Sequence, residues 1–451
     1  MNKFEKILLS LFFIELFVGG GGRLIDFHIV SIRQVLFLLL LATFVVRIIK
    51  EKAIFNKDIN TFFRLNPVSI GIYALMGWFV VSSLIGLLHH HPRGAVVQAF
   101  FRVSFFVLYF PLAYYISKDR FSVKRIITIL KYSALAVAIF TITVSLLGKT
   151  VFSGDNFQSF YDFMNWMMND DLYFRPSNSV FYKSHFYVLV ALIISLNAIL
   201  NKKFTKVDIA ILILGSFSLI WSETRGFLLA FMLSVFMIIV LDVKVLVDPL
   251  KGLSRKLQIL VQSKQFIKKF VILIVIMVAV PFLYQNMTLD RFGSSTVDQS
   301  STTHVKKHKK KVTKEVNDVS VNARMKFIVA SKDILKHPTN LVFGSGYGTT
   351  IAGRITGIEM SFLQILVEQG IIGFATWVFL FFIVYYNYYA AYRKGYKLTT
   401  LDISFMAAFM GILLLTNINP FINNPIGIGF FLMLLVVSQN KKQFKLNEEF
   451  E

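Results

Sequence analysis

Cysteine is absent from the chain, which excludes disulfides, cysteine nucleophiles and thiolate metal sites. Histidine is scarce, at 8 residues, and forms no HExxH; the i, i+4 pair His304 and His308 sits in a lysine run. Charge is scarce too, at 16% of residues, and the 25 acids are outnumbered by 48 Lys and Arg. No small-residue cleavage site follows the first apolar run after MNKFEK, so that run reads as a retained helix rather than a signal peptide. There is no internal repeat and no parallel-halves transporter pattern.

What is plentiful is apolar sequence. Of 451 residues 55% are hydrophobic, 48 of them Phe, and the mean hydropathy is +0.64. Those values call for spanning helices rather than a soluble core or the short alternating strands of an outer-membrane barrel. The expected fold is an all-α polytopic transmembrane helix bundle of about 12 spans, with runs near 7–19, 28–46, 67–88, 95–117, 126–147, 180–200, 207–221, 226–241, 270–286, 360–390, 402–416 and 426–438. Three regions follow: a bundle over 1–286, a large extracytoplasmic loop over 287–357, and a second bundle with a tail over 358–451.

Basic residues collect in alternate loops. Arg47 to Arg64, Lys118 to Arg125, Lys202 to Lys206, Lys244 to Lys269, Arg393 to Lys397 and Lys441 to Lys442 all fall on one side of a twelve-span arrangement. The positive-inside rule makes that side cytoplasmic, with both termini. The net charge of +23 is then a topology signal and a contact for anionic lipid headgroups rather than for nucleic acid.

Within the large loop, Ser294 to Ser320, with its string HVKKHKKKVTKEV, has little to bury. From Asn322, Met325, Phe327, Ile328, Ile334 and Leu335 recur at roughly helical spacing, which predicts an amphipathic helix near 322–337, ended by His337-Pro338.

The polar candidates cluster on the outer side. Arg225, in SETRG between two apolar runs, offers a planar fork suited to two phosphate oxygens; a structural pair with Glu223 is the simpler alternative. Arg291 in LDRFGS, Arg324 in NARMKF and Arg354 are further substrate-binding candidates, since converging arginines neutralise a diphosphate leaving group. In GSGYG, Gly344, Gly346 and Gly348 allow a close backbone approach, with Tyr347 a substrate-contact candidate. The string lacks the lysine of a nucleotide-binding loop. Glu359 opens an apolar run and is the candidate acid-base residue, with a helix N-terminal carboxylate as the plainer reading. Glu368 lies about 13 Å further along that helix and reads as a packing or pairing site. In NINPFINNPIGIG, Asn417, Asn419, Asn423 and Asn424 suit sugar hydroxyls and equally suit a turn. Trp166, Tyr161 and Tyr173 form a glycan surface or an interfacial aromatic belt.

SETRG, RFGS, NARMKFIVASKDILKHPTNLVFGSGYG and IEMSFLQILVEQGIIG, in that order across residues 215–375, resemble the O-antigen polymerase and O-antigen ligase superfamily of integral membrane glycosyltransferases. The resemblance implies a glycosyltransferase of the C type that needs no metal or other cofactor. It takes its glycan from a polyprenyl diphosphate, with Arg225, Arg291 and Arg324 as phosphate-handling residues; with Arg225 as one catalytic residue, Glu359 or another carboxylate would activate the acceptor hydroxyl. The ligase branch carries a histidine in an H-N-x-Y/F-L pattern; here Glu359, Met360, Ser361, Phe362 and Leu363 stand instead, which favours the polymerase branch.

The implied function is polymerisation of an O-antigen, capsule or exopolysaccharide in the bacterial cytoplasmic (inner) membrane, with the active site on its outer face. An undecaprenyl-diphosphate-linked glycan would be the donor and a lipid-linked repeat unit the acceptor. A flippase and a chain-length regulator are the implied partners. Transfer of the glycan to lipid A core, as in a ligase, and movement of lipid-linked oligosaccharide by a flippase or transporter are the alternatives.

Overall fold

The computed structural model describes residues 1–22, 25, 31–55, 63–117, 120–242, 267–268, 271–272, 275, 319–355 and 358–442. In chain order its elements begin with α1 (Lys3–Val18), α2 (Ile32–Lys50), α3 (Pro67–Leu88) and α4 (Arg93–Val103). A 3-10 turn over Ser104–Leu108 joins α4 to α5 (Tyr109–Ser117), and α6 (Val123–Lys149) and α7 (Phe157–Met168) follow. The hairpin β1 (Leu172–Phe174) and β2 (Val180–Tyr182) pairs Leu172 with Tyr182 in antiparallel register. After it come α8 (His185–Leu200), α9 (Lys206–Ala210), a π turn over Ile211–Gly215, α10 (Ser216–Trp221) and α11 (Arg225–Asp242). The remaining elements are α12 (Val319–Leu335), α13 (Pro338–Phe343), α14 (Ser361–Arg393), α15 (Thr400–Leu415) and α16 (Pro425–Lys442). Several starts are set by reciprocal capping: Asn2 with Glu5, Ser31 with Gln34, Asn66 with Ser69 and Thr399 with Asp402 satisfy amides that the first helical turn leaves unpaired.

The expectation of about 12 spans is overturned. Among the described residues six helices are long and apolar enough to cross a membrane: Ile32–Lys50, Pro67–Leu88, Arg93–Ile116, Val123–Lys149, Arg225–Asp242 and Ser361–Arg393. They make the chain a multi-pass membrane protein, mostly helical, with a short β hairpin. The excess in the sequence count has a physical cause, because an apolar run signals burial without saying whether lipid or protein does the burying. α8 is apolar on every side because every residue from His185 to Ala198 is buried. The run near 207–221 breaks into α9, the π turn and α10. α1 is only 16 residues long and buries Glu5 and Glu15 among neighbouring elements. The runs near 402–416 and 426–438 form shorter apolar helices. The run near 270–286 (apart from Val271, Ile272 and Val275), the lysine-rich stretch and Arg291 lie outside the described residues.

Ion pairs and hydrogen bonds identify the two ends of the bundle. At one end Arg47 and Arg120 pair with Glu51, Tyr115 donates to Glu5, Asn197 donates to the Thr400 carbonyl, and Lys441 lies 3.9 Å from Asp402. The described basic loops lie at this end. The opposite end gathers the α1–α2 turn, the loop from Thr150 to Ser184, the Ser222–Thr224 turn, α12, α13, the start of α14 and the α15–α16 turn.

α14 holds the most unusual backbone. It breaks at Gly370 (φ 65°, ψ −173°), which releases carbonyls inside an apolar surround, where each unsatisfied group is costly. Three neighbours take them up: Ser345 N–H donates to the Val367 carbonyl, Gly346 N–H to that of Glu368, and Trp78 Nε1–H to that of Gln369. GSGYG is therefore a patch over a broken helix.

Candidate functional site

The end that gathers these turns contains a cavity of about 540 Å³. Five cationic side chains line it, Arg33, Arg102, Arg175, Lys183 and Arg354, against one carboxylate, Glu359. Two of the cations already have acidic partners. Arg33 Nε donates to Glu15 at 2.8 Å, and its Nη2 reaches the Gly20 carbonyl at 3.1 Å, a close approach allowed by the glycine tract after α1. Lys183 contacts Asp171 at 2.7 Å, and Asp171 also accepts from the Gly21 amide at 2.6 Å. Burial alone would lower the Lys183 pKa, but the Asp171 carboxylate more than offsets it and holds the ammonium above the usual lysine value.

The other cations reach the cavity by different routes. Arg175 leaves the hairpin and donates from Nε to the Ser222 carbonyl at 3.2 Å and from Nη2 to Thr224 at 2.9 Å, with its guanidinium 5.5 Å from the Phe181 ring centre. The same turn is held from below, where Ser177 and Ser179 donate to Glu223, which is buried. Arg102 lies about 13 Å along α4 from its first residue, inside an apolar span. Its Nε has no hydrogen-bond partner among the described residues. An arginine at such depth is costly unless it faces a polar space, and the cavity is that space. Arg354 closes a tight backbone bridge with Ile351 and lies over Phe327 of α12, 5.5 Å from its ring centre.

Glu359 lines the cavity just before α14 and pairs with Arg324 of α12 at 3.2 Å; Arg324 does not itself line the cavity. Gln364, one turn into α14, also faces it and accepts from Asn423, which in turn accepts from Ser361. Asn423 thus sits behind Gln364. Asn419 and Asn424 line the cavity directly, and the buried Asn419 Oδ1 has no hydrogen-bond partner among the described residues.

Of the residues singled out from sequence, the structure brings Glu359, Arg354 and Asn419 to the cavity wall and Arg324 and Asn423 directly behind it. Arg225 is exposed at the first position of α11 and is not part of the lining. Tyr347 is buried under the loop, its hydroxyl accepting from Gln369 Nε2 at 3.2 Å, its amide donating to the Ser82 carbonyl and its own carbonyl facing the His91 ring. Glu368 is buried beside Gln364, which donates to it at 3.2 Å. Sequence reasoning missed Arg33, Arg102, Arg175 and Lys183. Arg102 carried a readable signal, since AFFRVSFFVL puts one arginine inside an apolar run.

Chemically, such an arrangement can accept an anion with more than one negative charge, and it sets one carboxylate, Glu359, among the lining residues. No protein-family model matches the chain. The chain is similar to a protein named O-antigen polymerase from Shigella flexneri, to which it is 26% identical over 437 residues that cover 95% of this chain and 93% of that protein.

Proposed function

We propose that the chain is a polysaccharide polymerase, a glycosyltransferase that lengthens a glycan held on undecaprenyl diphosphate. The observation that carries this reading is the cavity with five cations and one carboxylate at its wall, set in a multi-pass membrane protein. Similarity to the Shigella flexneri protein supports polymerisation over ligation. Both termini are assigned to the cytoplasm and the cavity to the outer side, because the described basic loops gather at the opposite end of the bundle. The described residues 319–355 then lie on the outer side, between the described helices of 1–286 and those of 358–451.

In this mechanism Arg102, Arg175 and Arg354, which line the cavity, hold the diphosphate. Glu359 takes the proton of an acceptor hydroxyl on a lipid-linked repeat unit. That oxygen forms a bond to the donor's anomeric carbon as the bond from this carbon to the phosphate oxygen breaks. The electron pair leaves with undecaprenyl diphosphate, whose charge the arginines stabilise. Arg324 is a positioning residue that fixes the Glu359 carboxylate. Positioning and electrostatics supply the rate, and neither needs a nucleotide sugar.

The test is reconstitution of purified protein with a lipid-linked repeat unit as sole substrate. A ladder of longer lipid-linked products is expected. Transfer only when lipid A core is supplied would make the protein a ligase, and passage across the bilayer with unchanged glycan length would make it a flippase.

A further inference from the structure

A second cavity, also of about 540 Å³, adjoins the first and shares Arg33, Arg102, Tyr173, Lys183, Asn424 and Pro425 with it. Its volume lies within the range of roughly 300–1,000 Å³ usual for small-ligand sites. Its chemistry differs from that of its neighbour. Three cations, Arg33, Arg102 and Lys183, meet two carboxylates, Asp170 and Asp171, and Arg33 and Lys183 are paired with Glu15 and Asp171. The charge that attracts an anion to the first cavity is therefore largely balanced in the second.

Neutral hydrogen-bonding groups complete the second cavity: Gln98 and Asn169 bring amide side chains, while Ser31 and Gln34, whose oxygens accept from each other's backbone amides at the start of α2, keep a hydroxyl and an amide donor. Its aromatic members, Phe101, Phe105 and Tyr173, are too few to bury a polyprenyl chain. Tyr173 is 44% exposed and lines both cavities, so one aromatic face stands at their junction. The backbone is specialised here as well. Asn169 (φ 50°) and Asp170 (φ 57°) are consecutive left-handed residues at the end of α7, a conformation that costs free energy for any residue but glycine and is most tolerable for Asn and Asp.

We propose that this second cavity is the saccharide subsite. It holds a sugar of the repeat unit through Gln34, Gln98, Asn169 and Asp170 and against the Tyr173 ring, while the diphosphate lies in the neighbouring cation-lined cavity. The inference rests on the polymerase reading for the identity of the glycan. Nearly balanced charge with many hydrogen-bonding side chains suits a polyhydroxylated ligand that carries little net charge. The shared wall of Arg33, Arg102 and Lys183 places sugar and diphosphate side by side, as they are in a glycosyl diphosphate.

Two probes separate this inference from the reading beneath it: oligosaccharide repeat unit hydrolysed from the producing cell's own surface polysaccharide, and undecaprenyl diphosphate without glycan. Binding of each is measured to the wild type and to a Gln98→Ala, Asp170→Ala double variant in lipid nanodiscs. Both substituted residues are exposed, and circular dichroism and thermal unfolding report whether the variant is folded. The expected result is oligosaccharide affinity reduced by about tenfold or more in the variant, as for two lost hydrogen bonds, with undecaprenyl diphosphate affinity unchanged. Unchanged oligosaccharide affinity in the folded variant would overturn the subsite, and so would a wild type that binds undecaprenyl diphosphate but not the oligosaccharide. Equal loss of both ligands by the folded variant would also overturn it. A wild type that binds the oligosaccharide but not undecaprenyl diphosphate would instead remove the diphosphate reading.

Discussion

Arg175 donates from Nη2 to the Thr224 hydroxyl at 2.9 Å, and this contact ties the β hairpin to the Ser222–Thr224 turn. With its partner contact to the Ser222 carbonyl it fixes the guanidinium plane at the cavity wall. Arg175→Lys should therefore lose turnover by about 30–1,000-fold, since lysine keeps the charge but cannot bridge two fixed acceptors while facing a phosphate. Arg225→Lys, one residue beyond the same turn and outside the lining, is the comparison. The measurement is polymer yield per folded protein, and a smaller effect at position 175 than at 225 would shift the phosphate contact to α11.

Glu359 at the edge of the cavity is the proposed base. Glu359→Gln preserves shape but not basicity, so single-turnover transfer should fall about 100–10,000-fold while binding of the lipid-linked substrate persists. Transfer above a tenth of the wild-type rate would place the base elsewhere. Arg324→Met should change the pH profile of turnover more than substrate affinity, because Arg324 pairs with Glu359 and does not reach the lining.

Much of the helical layout was legible in sequence, because the apolar runs near 28–46, 67–88 and 126–147 fall on the helices Ile32–Lys50, Pro67–Leu88 and Val123–Lys149. The number of spans was not, because α8 is as apolar as a lipid-facing helix while being wholly buried in protein. Glu359, Arg354 and Asn419, singled out by residue type and position, are residues that the structure places at the cavity wall. Arg175 and Lys183 were not, since they meet the cavity only when the loop after α7 folds back over the bundle. The SETRG string drew notice for its arginine, yet its buried Glu223 and its Ser222 and Thr224 acceptors are what organise Arg175.

The patch over the broken helix makes its own prediction. At Gly346 (φ 87°) an added Cβ would lie 2.2 Å from the Gly86 nitrogen, and the backbone angle itself disfavours a side chain. Gly346→Ala should destabilise the fold by about 2–5 kcal/mol. Gly154→Ala shares the positive φ (71°) but meets nothing within 4 Å, so it should cost less. Thermal unfolding of the two in detergent isolates the steric part, and equal losses would mean that the loop does not press on α3.

The proposed orientation is checked by introduced cysteines in a chain that has none of its own. Gln158→Cys, beside the cavity end, should react with a membrane-impermeant thiol reagent in intact spheroplasts, and Lys203→Cys, at the basic end, should react only after lysis. The reverse pattern would invert the assignment.

The most direct measurement is an experimental structure of the protein in a lipid nanodisc with undecaprenyl diphosphate bound. The expected result is density for both phosphates in the cavity lined by Arg102, Arg175 and Arg354, within hydrogen-bonding distance of at least two guanidinium groups, with Glu359 at its edge. Diphosphate density at the opposite, basic end of the bundle, with this cavity holding none, would contradict it.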